Sequence, residues 1–138
     1  MELSQLSTIR NPLPATFTFQ NPFTNENTDI KITMYSENSR EGKSARHEMT
    51  MKIIELQKDG KEATEEIMQP ITIEWIANLT NNIDGLTIGK KKLAQTKEEF
   101  IRIYTDSIEL MNGTYLIDAC YNFAKNSGNF SAAQLPTI

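Results

Sequence analysis

Valine is absent from the sequence, and cysteine, histidine and tryptophan occur once each. Without valine, a valine-rich parallel sheet is disfavoured, and isoleucine must supply the β-branched packing. A lone Cys120 cannot close an internal disulfide, which fits a reducing compartment. One cysteine and one histidine (His47) also exclude a zinc cage of thiolate and imidazole ligands. No apolar run reaches the ~18 residues of a membrane span, and the opening MELSQLSTIR lacks the apolar core of a signal peptide. Lys and Arg number 14 against 18 Asp and Glu, a net charge of -4, so there is no broad basic field for nucleic acid. The 138 residues suit one domain. With 38% apolar residues and a mean hydropathy of -0.45, its core must be small. These features describe a soluble cytoplasmic α+β domain without visible catalytic chemistry.

Residues 1–15 carry Pro12 and Pro14 without sustained periodicity, which predicts a flexible N-terminal arm. Thr16-Phe17-Thr18-Phe19 and Ile30-Lys31-Ile32-Thr33-Met34 alternate polar and apolar, the period of a half-buried strand. The polar stretch Asn21 to Asn27 lies between them, so the two runs predict an antiparallel hairpin. Phe17, Phe19, Ile30, Ile32 and Met34 then share one face, which needs helices to cover it. Ser36 or Ser39 is placed to cap a helix reaching about Lys58, with Ala45, Met49, Ile53 and Leu56 as its stripe and Glu48–Lys52 as an acid-first pair. Asp59-Gly60 stops it. A second stripe, Ala63, Ile67, Ile71, Trp75 and Leu79, contains Pro70, which predicts a kink or a division into two. Asn81 to Gly85 reads as a loop, followed by the apolar pair Leu86 and Ile88. Thr96 and Glu99 form a capping-box pattern before Phe100, Tyr104, Ile108 and Met111, and Asn112-Gly113 ends that helix. Thr114 opens a last helix that buries Leu116, Cys120 and Phe123. The expected fold is α+β and mainly α-helical, an N-terminal β-hairpin packed on four or five helices. Residues 16–130 form its single globular domain, and 131–138 a C-terminal tail.

Few residues offer chemistry. His47 has no serine or cysteine placed beside it by a local motif, and it reads as a solvated helix-surface residue. Cys120 lies in an apolar stripe, where free cysteine behaves as a small hydrophobe. Glu62, Glu65 and Glu66 suit the first turn of a helix better than a metal or acid–base site. Lys90-Lys91-Lys92, the one basic run, reads as a solvated loop able to touch phosphate or an acidic partner. Gly85-x-x-x-Gly89 lacks the preceding strand and the Gly-Lys-Ser/Thr ending of a phosphate loop. Aromatic residues concentrate in the final third. They are either core or a protein-binding surface, and Trp75, Tyr104, Tyr115, Tyr121 and Phe130 are the candidates for the latter.

The order of these features resembles the tail assembly chaperones of long-tailed phages. The resemblance rests on Phe19-Gln20-Asn21-Pro22-Phe23-Thr24-Asn25-Glu26, on Ile30 to Ser39, and on Ala45-Arg46-His47-Glu48. Trp75, the Asp84-Gly85 loop, Leu116 to Cys120 and Ser127 to Phe130 extend it over about residues 17–130. The chain departs from the commoner pattern at Leu86-Thr87-Ile88-Gly89-Lys90, where relatives often carry a proline-containing segment, and its final helix is looser. The resemblance implies a non-enzymatic protein of the host cell cytoplasm, without cofactor or metal. It implies binding to the tape measure protein and to tail tube subunits, and self-association into open spirals. It also implies absence from the mature virion, and no nucleic-acid or membrane partner. Two other readings stand beside it: a structural virion protein of the tail or head–tail connector, and a small host-directed inhibitor.

Overall fold

The computed structural model describes residues 1–8 and 10–130 of the chain, and the tail expected at 131–138 lies outside the described residues. Two strands, β1 (Ala15–Gln20) and β2 (Asn27–Met34), form the expected antiparallel hairpin, with Phe17 opposite Ile32 and Ala15 opposite Met34. A third strand, β3 (Thr80–Asp84), pairs antiparallel with the other side of β2. The sheet order is therefore β1-β2-β3, with the hairpin's second strand at its centre. The sequence reads 81–85 as a loop because Asn81 and Asn82 are poor strand formers. The strand forms because Ile83 is buried at 1% exposure beside Ile32, at a site created by tertiary pairing. Gly85 follows at φ +77, and a Cβ there would lie 1.8 Å from the Asp29 carbonyl oxygen. Only glycine accommodates both the angle and the approach.

Helix α1 (Arg40–Lys58) starts at Ser39, whose side chain accepts from the Gly42 N–H. Ser36 takes the supporting role, with its carbonyl accepting from the Ser39 hydroxyl at 2.6 Å. Gly42 looks like a weak helix residue in the sequence, but a Cβ there would fall 2.3 Å from the Ser36 carbonyl oxygen. Its place in the first turn is required by that close approach. The helix closes as a Schellman motif: Lys61 N–H donates to the Leu56 carbonyl and Gly60 N–H to Gln57, with Gly60 at φ +71. Of its expected stripe only Ala45 is fully buried, and Met49, Ile53 and Leu56 are half-buried.

Helix α2 (Glu65–Leu79) runs unbroken through Pro70, with Thr64 as N-cap and Glu65 and Glu66 in the first turn. Pro70 is exposed and near the N-terminus, so it removes a single intrahelical bond without dividing the helix. Ile73, Trp75, Ile76, Ala77 and Leu79 bury its C-terminal half. Beyond β3, a short ribbon pairs β4 (Thr87–Ile88) with β5 (Lys91–Lys92) across Gly89-Lys90. Both turn residues have positive φ, 56 and 68, as a tight two-residue hairpin turn requires. The lysine run is thus strand and turn rather than loop. Helix α3 (Lys97–Met111) is capped by Thr96, which accepts from Glu99 N–H at 3.2 Å, and ends with Asn112 in the left-handed region at φ 55. Helix α4 (Tyr115–Lys125) buries Leu116, Ile117, Cys120 and Ala124. Phe123, expected in the core, is half-buried.

Among the described residues the fold is α+β and mainly helical, with four α-helices of which α2 and α4 pack on the sheet. One cluster unites the inner sheet face (Phe19, Ile32, Met34, Ile83) with residues of α2, α3 and α4. Helix α2 is its centre, packing on α1, α3 and α4. Each fully buried isoleucine or leucine contributes roughly 1.5–3 kcal/mol. Within the segment that the sequence marks as a flexible arm, Leu3–Thr8 form a 3₁₀ helix. Farther along, Asn11 accepts from the Arg40 N–H at 2.7 Å and donates to Glu41 at 3.0 Å. That bond holds the Glu41 carboxyl below its usual range.

Candidate functional site

The five aromatic candidates do not form one surface. Trp75 at 4% exposure and Tyr104 at 0% belong to the core, a correction to their reading as interface residues. The helical period explains this outcome: each lies on the apolar stripe that its own helix turns inward. Tyr115, Tyr121 and Phe130 are half-buried. Tyr121 leans on Trp75 edge to face at 5.5 Å, with the Lys125 ammonium 4.8 Å from its ring. Phe130 packs on Phe123 at 5.3 Å, and Phe123 packs in turn on Phe17 at 4.7 Å. Tyr115 meets the exposed ring of Phe23 at 5.3 Å. Six residues apart on α4, Tyr115 and Tyr121 stand about 120° apart around the axis and so face different neighbours.

The other chemically capable residues stand apart from one another. His47 is exposed on α1. Cys120 is fully buried, and burial pushes its thiol up to about 12. A chain of donors explains how this polar set is tolerated in the core. Cys120 Sγ donates to the Tyr104 hydroxyl at 3.6 Å, Tyr104 meets the Thr80 hydroxyl at 2.6 Å, and Thr80 donates to the Ile76 carbonyl at 2.8 Å. Desolvation holds Tyr104 well above its usual range. Trp75 Nε1 is buried without a protein partner, a desolvation cost of about 1–3 kcal/mol set against the burial of its ring. Glu62 precedes α2, whereas Glu65 and Glu66 occupy its first turn, where the helix dipole favours them. Among the described residues no group of three or more His, Cys, Asp or Glu is gathered to hold a metal ion. No helix among them is long and apolar enough to cross a membrane.

Several open grooves lie among the described residues, and two of them have prominent apolar walls. The first, about 530 Å³, lies between the hairpin and α4 and is lined by Phe17, Pro22, Tyr115, Phe123 and polar residues including Asn122 and Asn129. The second, about 460 Å³, lies between the β4–β5 ribbon and α3. Its walls are mostly aliphatic: Ile30, Leu86, Ile88, Ile103, Met111 and Leu116. Leu110 stands on its rim at 83% exposure, on an α3 face otherwise occupied by charged residues such as Arg102, Asp106 and Glu109. Leu86 and Ile88 are visible in the sequence as an apolar pair, but nothing local connects them to α3. Leu110 has a sequence signal, an apolar residue off the Phe100–Tyr104–Ile108–Met111 stripe. Gln95 has none, yet its side chain exchanges both amide bonds with the Ile83 backbone, at 2.8 and 2.6 Å, and so blunts the open edge of β3.

No protein-family model, curated protein or solved structure matches the chain. The site is therefore characterised by its own geometry: an aliphatic trough beside a core whose reactive groups are sequestered.

Proposed function

We propose that the protein is a tail assembly chaperone of a long-tailed phage. In this reading it is non-enzymatic, binds the tape measure protein, keeps it soluble and recruits tail tube subunits in the host cytoplasm, without entering the finished particle. The observation that carries it is the aliphatic groove between the ribbon and α3, with Leu110 on its rim. A long helical protein with apolar stripes aggregates if left bare, and a groove of this kind receives such a stripe. The order of hairpin, helices and loop motifs along the chain gives the resemblance that names the partner.

Co-expression with the tape measure protein is the direct test. The expected result is a higher soluble yield of the tape measure protein and its co-purification with this chain. An unchanged yield overturns the proposal. Recovery of the chain in purified particles by mass spectrometry makes it a structural virion protein instead, and selective co-purification with a host protein makes it an inhibitor.

A further inference from the structure

The geometry points to the β4–β5/α3 groove as a docking site for an amphipathic helix whose apolar stripe is flanked by acidic residues. This deepens the reading above by naming the surface and the chemistry of what it holds.

The α3 wall runs from Arg102 to Met111, nine helical steps or roughly 14 Å. That length accommodates about two and a half turns of a second helix, or apolar anchors at i, i+3 or i+4, and i+7. An added strand is a poor alternative, because β4 offers an edge of only two residues. The floor is aliphatic, and Leu110 projects from the rim where a docked helix would cover it.

Beside the opposite wall the ribbon carries positive charge, though no lysine lines the groove itself. Ile88 lines the groove and pairs directly with Lys91 across the ribbon, so the two side chains share one ribbon face. Lys90 occupies the turn and Lys92 completes the run, all three exposed. On the α3 wall Arg102 lies 3.8 Å from Asp106 and 3.9 Å from Glu99, so that side is close to neutral. Glu109 lies beside Leu110 on the same helix. Positive charge beside one wall of an aliphatic floor, on a chain of net charge -4, selects an apolar stripe with acidic residues along the ribbon side.

The test is a titration of the full chain with synthetic helix-forming peptides, followed by fluorescence anisotropy. One peptide carries leucines at i, i+3, i+4 and i+7 with glutamates flanking the stripe, and a second has the same stripe with lysines instead. A third keeps the glutamates but scrambles the leucine spacing. The acidic peptide is expected to bind about tenfold more tightly than the basic one, the sum of two or three partly exposed ion pairs. The difference should shrink at high salt. Replacing Lys91→Glu and Lys92→Glu together reverses the preference, and Leu110→Asp weakens both peptides; both substitutions lie at exposed positions, and circular dichroism verifies the fold. Equal binding of the acidic and basic peptides, or of the scrambled one, overturns the proposal. So does self-association of the chain that Leu110→Asp abolishes, since a second copy then fills the groove. If the peptides fail but the tape measure protein is still solubilised, the groove assignment falls alone. If the peptides behave as expected but the tape measure protein is not solubilised, the chaperone reading falls alone.

Discussion

Cys120 has no exposed surface, and its thiol sits 3.6 Å from the Tyr104 hydroxyl. Burial lifts it from an ordinary value of 9.0 to about 12, so the unfolded chain gives up this proton first as pH rises. Its contribution to stability is complete below about pH 9 and is lost progressively toward pH 12. The slope is at most ~1.4 kcal/mol per pH unit from this group. Tyr104, raised further by burial, acts in the same direction once pH passes its ordinary 10.0. Urea unfolding of the wild-type chain should therefore show a falling midpoint above about pH 9, and Cys120→Ala should flatten that fall while lowering the midpoint at neutral pH. An equal pH slope in the two proteins contradicts the buried-thiol account. The sequence gives Cys120 an apolar stripe, and that much of its environment is readable from spacing. Its partner Tyr104 is on another helix 16 residues away, and the period of one helix says nothing about which residue of the next it meets.

The helices are joined by charges that their own sequences pair differently. Glu48 and Lys52 sit four apart on α1, the favourable local order, yet Lys52 reaches across to Glu74 on α2. Lys97 at the start of α3 lies 3.0 Å from Glu74 and 3.7 Å from Glu48, while Asn78 donates to Glu48 at 3.0 Å. Glu74 is thus the carboxylate common to α1, α2 and α3, and its side chain is only 26% exposed. Exposed pairs contribute about 0–1 kcal/mol each, and a shared, half-buried carboxylate belongs at the upper end. Glu74→Gln should lower unfolding stability by ~1 kcal/mol at low salt, with the loss reduced near 1 M salt, where screening acts within ~3 Å. Glu48→Gln should cost less, since that side chain is 53% exposed. Equal losses for the two, unaffected by salt, would place the stabilisation in packing rather than charge. The caps at Ser39 and Thr96 are legible in the sequence because a cap and its target lie within three residues. Strand β3 and the Glu74 junction are not, because their partners lie far along the chain. Lys31 pairs with Asp84 and Ile32 with Ile83, so β3's strand character comes from β2 rather than from Asn81 and Asn82.

At the scale of the whole molecule, the helix count and the hairpin are readable from periodicity, whereas the groove is not. Its two walls come from the ribbon and from α3, and only the packed fold brings Ile88 toward Leu110. The N-terminal segment divides in the same way. Asn11 is integral to the body, since it satisfies the Arg40 N–H that Ser39 leaves open at the first turn of α1. Leu3 and Leu6, by contrast, are 82% and 49% exposed on a 3₁₀ helix that adds little burial. Removing residues 1–10 should therefore shift the thermal unfolding midpoint by no more than ~2 °C, as for other surface changes within ~0.5 kcal/mol. Asn11→Ala should cost ~1 kcal/mol, the usual loss of a helix cap. If the exposed leucines serve a head-to-tail contact between copies, the same truncation removes self-association in sedimentation velocity while the monomer stays folded. Head-to-tail contacts that do not close generate open spirals, so the full chain should show a concentration-dependent series of species rather than one closed oligomer. Self-association that survives the truncation unchanged rules out the arm as its origin. A large drop in the unfolding midpoint would instead make Leu3 and Leu6 part of the folded body, against the exposure of both side chains.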